Sequence, residues 1–220
     1  MRVIEVNESA FALNDRAAEA LRNGLKEEGI FLLNVMSAPG SGKTVLLSFL
    51  INELKERLNI AVMDVDIEST ADADRLFGNT GVPCVQIHNG GLCHIDAEMV
   101  AEAIRQADFG KVDLIVLENI GNLVCPAEFD TGAHMNIMLS SVPEGDDKPL
   151  KYPLMFKVCD AVIVTKTDTL PVFDFDAEKF RGYVKSLNPE ADIFEVSAKT
   201  GSGVNALAEY IYRKIKYKGD

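Results

Sequence analysis

Short continuous apolar runs alternate along this chain with longer segments whose apolar positions recur every three or four residues. The runs at 30–36, 60–65 (IAVMDV), 82–87 (VPCVQI), 112–118 (VDLIVLE), 135–142, 160–166 (DAVIVTK) and 192–196 predict strands buried on both faces. The segments at 43–57, 70–77, 96–107, 176–187 and 203–217 predict helices; Met99, Val100, Ala103 and Ile104 form the apolar face of one of them. Strands of this kind joined by helices specify an α/β fold, a mostly parallel central sheet covered by helices on both faces with right-handed connections. Ahead of the first strand, Phe11, Leu13, Ala17, Ala20, Leu21 and Leu25 give residues 9–28 a helical period, and Gly29 is placed to end it. Residues 1–29 therefore read as an N-terminal helical extension packed on a main domain over 30–220. Two polar segments read as loops: NIGNLVCPAEFD at 119–130, and PEGDDKPLKYP at 143–153, the one long polar loop.

Composition narrows the function classes. A chain of 220 residues, 47% hydrophobic and without tryptophan, suits one globular domain with small additions. A net charge of −12 repels a phosphate backbone and argues against nucleic-acid binding. No apolar run reaches membrane-spanning length and MRVIEVNESA lacks a secretory core, so a cytoplasmic protein with reduced thiols is expected. Four scattered cysteines are too few for a disulfide scaffold.

The chemistry begins at SAPGSGKT, residues 37–44, between the first strand and the helix after it. Small residues here let successive backbone N–H groups point at phosphate oxygens, and the helix start adds its positive dipole end. Pro39, Gly40, Ser41, Gly42, Lys43 and Thr44 are the candidate phosphate-binding residues. Lys43 supplies charge for the β- and γ-phosphates and the Thr44 hydroxyl is a Mg²⁺ ligand candidate. Ser37 stands where the full pattern has its first glycine. TKTD at 165–168 and SAK at 197–199 each follow a strand. Asp168 can accept from the two N–H groups on the Watson–Crick edge of guanine, Lys166 can lie along the base, and Ser197, Ala198 and Lys199 can bring a backbone N–H to its carbonyl. Thr165 replaces the asparagine common at the start of this guanine motif. For Mg²⁺ and the attacking water the candidates are Asp66, Asp72 and Glu118, with Glu68 in the same cluster. Asp64 reads as a helix cap or a solvated charge.

Cys93 and His94 are adjacent in NGGLCHID, and Cys125 follows in NLVCPAEF. Thiolate and imidazole suit Zn²⁺ or Ni²⁺. Three ligands leave a tetrahedral site open, to be closed by water, another side chain, or a second copy across a two-fold axis. The same residues read equally as small buried hydrophobes and a capping histidine. Cys84 and Cys159 read as core, and His88 and His134 have no assigned partner.

The chain resembles the HypB family, nickel-inserting GTPases of nickel–iron hydrogenase maturation related to the urease accessory GTPase UreG. The resemblance rests on GSGKT (40–44), GGLCHIDAEM (90–99), LENIGNLVCPAEFDTG (117–132), SVPEGDDKPLKYPLMF (141–156) and TKTD (165–168). It implies a P-loop GTPase of the SIMIBI class that binds GTP or GDP with Mg²⁺ and dimerises when GTP is bound. It also implies a Ni²⁺ or Zn²⁺ site from Cys93, His94 and Cys125, a zinc-binding accessory partner of the HypA type, and delivery to a hydrogenase large-subunit precursor. Hydrolysis involves Lys43, Asp72 and Glu118 on this reading, with GTP and Mg²⁺ ordering loops at 66–72 and 118–121. Many bacterial members carry an N-terminal CxxCGC or His-rich nickel motif; this sequence has neither, so metal handling is expected at the interface site alone. Three other readings stand beside this one: a nickel GTPase for urease or carbon monoxide dehydrogenase, a P-loop small-molecule kinase, and a non-catalytic metal-binding adaptor.

Overall fold

The computed structural model describes residues 10–66 and 71–217. Its strands are β1 (Phe31–Ser37), β2 (Ile60–Val65), β3 (Cys84–Ile87), β4 (Leu114–Gly121), β5 (Met135–Ser141), β6 (Ala161–Thr165) and β7 (Asp192–Glu195). They form one seven-stranded sheet in the order β3-β2-β4-β1-β5-β6-β7, with every pair parallel. The helices are α1 (Ala10–Glu27), α2 (Lys43–Leu54), α3 (Ala71–Thr80), α4 (Ala97–Ala107), α5 (Cys125–Glu128), α6 (Lys148–Lys151), α7 (Pro153–Lys157), α8 (Ala177–Leu187) and α9 (Val204–Lys216).

Alternation along the central strands divides the core between the two faces. Leu33, Val35, Val62 and Val116 pack with Leu46, Leu50, Leu207 and Ile211 beneath α2 and α9. Leu32, Met63, Ile115 and Leu117 point the other way, toward Leu25 of α1 and Val100 of α4. On the far half of the sheet Met138, Val162 and Val164 meet Phe156 and Phe180. Each fully buried Leu, Val or Phe here contributes about 1.5–3 kcal/mol of transfer free energy, so this double-sided burial fixes the strand register.

Two segments expected as loops are ordered. β4 runs on to Gly121 because Asn119 is buried and fully used: its amide donates to Asn34 Oδ1 at 3.0 Å and its Oδ1 accepts from Ile120 N at 2.8 Å. Residues 142–157 fold into a 3₁₀ turn and the short helices α6 and α7. Pro149 and Pro153 sit in first turns, where a missing N–H costs nothing, and Met155 and Phe156 are fully buried.

The N-terminal helix is docked by specific bonds. Asn14 donates to the Asp130 carbonyl and accepts from Ala97 N. Arg22 reaches both carboxylate oxygens of Asp130 at 2.7 Å and the Ala133 carbonyl at 2.7 Å. His134 joins the helix to β1, accepting from Leu32 N at Nδ1 and meeting the Arg22 carbonyl through Nε2, a pattern that suits the neutral ring.

Candidate functional site

The phosphate loop leaves β1 and turns through Gly40 and Gly42, at φ 76° and 94°, the left-handed region that favours glycine. Gly42 is the residue before α2, so the helix's first N–H groups face the loop. Ser37, in place of a glycine, is fully buried; its hydroxyl bonds the Ala38 carbonyl at 2.7 Å and accepts from Lys43 Nζ at 3.1 Å. The substitution thus gives the loop lysine a resting partner. Ser41 donates to the Ala38 carbonyl and lies 2.8 Å from Glu144 Oε2. The same carboxylate oxygen accepts from both the backbone N–H and the hydroxyl of Ser141, fastening the loop to the end of β5. On the other side, a Cβ placed on Gly121 would lie 3.2 Å from Pro39 Cα, so β4 and the loop touch through backbone.

Beneath the loop lies a row of acids. Thr44 Oγ1 donates to Glu118 Oε1 at 2.8 Å, and Glu118 is aligned with Asp64 across β4 and β2. Burial pushes the Glu118 carboxyl up to about 7; the Asp64 charge adds to this, while Lys43 and the Thr44 hydrogen bond oppose it. Asp64 is only 3% exposed, and burial with the charges of Asp72 and Asp66 pushes it up to about 6. This corrects the reading of Asp64 as a cap or a solvated charge: it lies within a strand whose residues are all buried. Glu118 Oε2 and Asp64 Oδ2 are buried without a hydrogen-bond partner. Unpartnered carboxylate oxygens beside a threonine hydroxyl fit a hard divalent cation. Asp72, at the start of α3, is partly exposed and pairs with Arg75 at 3.1 Å. Glu68 lies outside the described residues.

The other end of the loop opens into a cavity of about 260 Å³ lined by Gly42, Val45, Thr165, Lys166, Asp168 and Ala198, among others. Thr165 Oγ1 donates to the Ser41 carbonyl at 2.7 Å, tying the motif to the phosphate loop through a hydroxyl where asparagine is usual. Lys166 takes a left-handed φ of 58° and its Nζ reaches the Gly40 carbonyl at 2.7 Å, spanning the loop. Ser197 donates to Asp168 Oδ1 at 2.7 Å, and Lys199 lies 3.7 Å from Oδ2. The Ser197 hydrogen bond holds the Asp168 carboxyl below its ordinary value, with Lys199 assisting.

Cys93 and Cys125 converge: their sulfurs lie 2.7 Å apart, where the loop before α4 meets the N-terminus of α5. The Cys93 thiol, followed by burial, raises the Cys125 pKa above its ordinary value. His94 does not complete a triad. Its Nδ1 is 3.9 Å from Cys93 Sγ, and its ring stacks on Phe129 with centroids 3.7 Å apart. Among the described residues no group of three or more His, Cys, Asp or Glu is arranged to hold a metal within one chain. Leu92 and Val124, the residues before the two cysteines, are 47% and 51% exposed. Cys159 is buried in the core beside Phe156 and Phe180, and Cys84 packs against the separate cluster beneath α2.

The profile of the CobW/HypB/UreG nucleotide-binding domain matches residues 31–195. The hydrogenase maturation factor HypB of Azotobacter vinelandii is 42% identical over 213 residues, covering 97% of this chain and 70% of the relative. The chain belongs to the HypB family. The hydrogenase/urease maturation factor HypB of Helicobacter pylori is 40% identical, covering 96% of this chain and 88% of the relative. Among solved structures, HypB from Helicobacter pylori in complex with nickel superposes with a TM-score of 0.86 at 39% identity, covering 93% of this chain and 96% of that one. HypB from Archaeoglobus fulgidus gives 0.85 at 35% identity, covering 93% and 100%. The signal-recognition-particle receptor FtsY of Elizabethkingia anophelis, with GDP bound, shares only the fold at 16% identity and a TM-score of 0.56. With its nucleotide-binding domain and phosphate loop, this HypB-family chain is a P-loop NTPase. No helix among the described residues is long and apolar enough to cross a membrane.

Two further contributors carried no assigned role in the sequence. Glu144 lies in a run of acids that looks solvent-facing, and only the capping-box spacing from Ser141 marks it. Gln86 stands alone in an apolar run, as Asp64 does in its own.

Proposed function

We propose that this chain is a GTP-hydrolysing metallochaperone that delivers nickel during nickel–iron hydrogenase maturation, with its metal site at a GTP-dependent homodimer interface. The observation that carries this is the meeting of Cys93 and Cys125, 2.7 Å apart, beyond the end of the strand that carries Glu118 to the phosphate loop. HypB relatives named as hydrogenase maturation factors, and one solved in complex with nickel, support the cargo and the client.

In this mechanism the N–H groups from Gly40 to Thr44 hold the phosphates, and Lys43 leaves Ser37 to neutralise the β- and γ-oxygens. Asp168 accepts from both guanine N–H groups, Lys166 covers the base, and the backbone of Ser197, Ala198 and Lys199 faces its carbonyl. Thr44, Glu118 and Asp66, with the buried Asp64 behind them, would hold Mg²⁺, which offsets the charge that builds on the transferring phosphoryl group. Asp72, on the accessible rim, positions the water that attacks the γ-phosphorus; GDP leaves as the bond to its bridging oxygen breaks. Cys93 and Cys125, with His94 adjacent but stacked on Phe129, give one chain fewer donors than a closed tetrahedral site uses, and a second copy would supply the rest. The exposed Leu92 and Val124 beside the thiols support such a two-fold contact, since pairing would cover them. Contact between Gly121 and Pro39 gives loop closure a path to Cys125. Nickel would then pass to the large-subunit precursor with a HypA-type zinc-binding partner.

A second client is favoured by one relative, named as a hydrogenase/urease maturation factor; urease is the alternative recipient. Turnover tests the enzymatic reading. Purified protein with Mg²⁺ should convert GTP, and not ATP, to GDP and phosphate. Equal turnover of ATP, or none of GTP, would contradict it.

A further inference from the structure

Three polar side chains stand at one level of the sheet. Gln86 of β3 is aligned with Asp64 of β2, and Asp64 with Glu118 of β4. In a parallel sheet aligned residues project to one face on strands about 4.8 Å apart. That face is the one under α2: Val62 and Val116, two residues before Asp64 and Glu118, pack there, and Cys84, two before Gln86, packs against the same cluster.

Gln86 lies beside Asp64 in the register of β3 and β2, and no hydrogen bond joins the two side chains in the nucleotide-free chain. Both of its amide atoms, Nε2 and Oε1, are buried without a partner, as are Asp64 Oδ2 and Glu118 Oε2. Buried donors and acceptors left open in this way cost about 1–3 kcal/mol each, so a chain retains them where another state satisfies them. An amide donor beside an open carboxylate is complementary, and the row leads directly to the Thr44–Glu118 bond.

We propose that Gln86 is a positioning residue for the Mg²⁺ of the nucleotide site. In the loaded protein its Nε2 donates to Asp64, holding that carboxylate toward the cation carried by Thr44 and Glu118. Its Oε1 is left to accept from a water of that shell. Gln86 touches neither nucleotide nor reacting atoms; it acts through Asp64. The inference rests on the reading of Thr44 and Glu118 as Mg²⁺ residues.

The test is GDP affinity titrated against Mg²⁺ for the wild-type protein and Gln86→Leu, which keeps apolar bulk and removes both amide atoms. Wild-type GDP binding should tighten with Mg²⁺. In Gln86→Leu the Mg²⁺ concentration for half-maximal tightening should rise about tenfold, the size of one hydrogen bond to a charged group. GDP affinity in chelator should change less than twofold, which also reports that the variant is folded. The nucleotide-free melting temperature should hold or rise, because buried open groups are gone. A merely structural Gln86 would lower melting and leave the Mg²⁺ midpoint in place, and that result overturns the inference. No tightening in the wild type would instead overturn the Mg²⁺ reading beneath it. Gln86→Met provides the second variant: it keeps the length of the side chain but has no donor for Asp64, and an unchanged Mg²⁺ midpoint there would also overturn the inference.

Discussion

Thr44 Oγ1 donates to Glu118 Oε1 across 2.8 Å, closing the first turn of α2 onto the end of β4. The bond occupies one carboxylate oxygen and leaves the other buried and open, 2% of the residue being exposed. The nucleotide-free protein therefore holds a buried carboxyl that resists ionising, because no hydrogen bond reaches its second oxygen to stabilise the charge.

That charge sets a pH dependence. The carboxyls of Glu118 and Asp64 are pushed up, to about 7 and about 6, from ordinary values near 4. Between about pH 4 and 7 the folded chain holds protons that the unfolded chain has released, so stability falls as pH rises through this window and levels off above it. Glu118→Gln should remove much of the slope. It should raise the nucleotide-free melting temperature at pH 8 by several degrees, from roughly 1–3 kcal/mol, and abolish any gain from Mg²⁺ with GDP. Calorimetry from pH 5 to 8 checks both; a variant less stable than wild type at pH 8 would contradict the account.

Asp168 is an acceptor pair, fixed by Ser197. Asp168→Asn replaces one acceptor with a donor, which faces guanine's N–H groups wrongly but matches the extra carbonyl of xanthine. GDP affinity should fall at least a hundredfold and the xanthosine diphosphate should bind better than GDP. Competition titration with the two nucleotides decides this.

Glu144 Oε2 gathers Ser41 Oγ, Ser141 Oγ and Ser141 N. Glu144→Ala leaves these donors open and frees the phosphate loop. Denaturant unfolding should show a loss of about 2 kcal/mol, with GDP affinity reduced about tenfold. A loss of stability without any loss of affinity would mean the bond serves β5 alone.

Gly121→Ala forces a Cβ to 3.2 Å from Pro39 Cα, so backbone must shift by a few tenths of an ångström. Both sides of the contact should respond: weaker GDP binding and altered metal binding at Cys125. Isothermal titration of each ligand reads the pair, and a change in one alone would place the coupling elsewhere.

Much of this was legible in the chain. Runs such as IAVMDV and DAVIVTK announce doubly covered strands because nothing in them wants water, and the structure has strands at 60–65 and 161–165. GSGKT and TKTD were readable because their chemistry depends on local spacing. Asp64 was misread although its strand was not: a charge inside a run buried on both faces cannot be solvated, and that contradiction was the available signal. Residues 143–153 were misread because PEGDDKPLKYP shows its charges and prolines locally, while the burial of Met155 and Phe156 against α8 is tertiary. Gln86 could not be singled out, since its neighbours Asp64 and Glu118 come from strands distant in sequence. The meeting of Cys93 with Cys125 is of the same kind: their ligand chemistry marked them as metal candidates beside an equally open core reading, and the family resemblance favoured the metal one.

In the proposed mechanism, nucleotide state governs nickel binding at the thiols. Its most direct measurement is nickel affinity of the nucleotide-free, GDP-bound and GTP-analogue-bound protein, with mass determined in each state and Cys93→Ala alongside. Dimers are expected with the analogue, with affinities that differ at least tenfold among states and a loss of that difference in Cys93→Ala. Equal affinity in all three states, unaffected by Cys93→Ala, would contradict it.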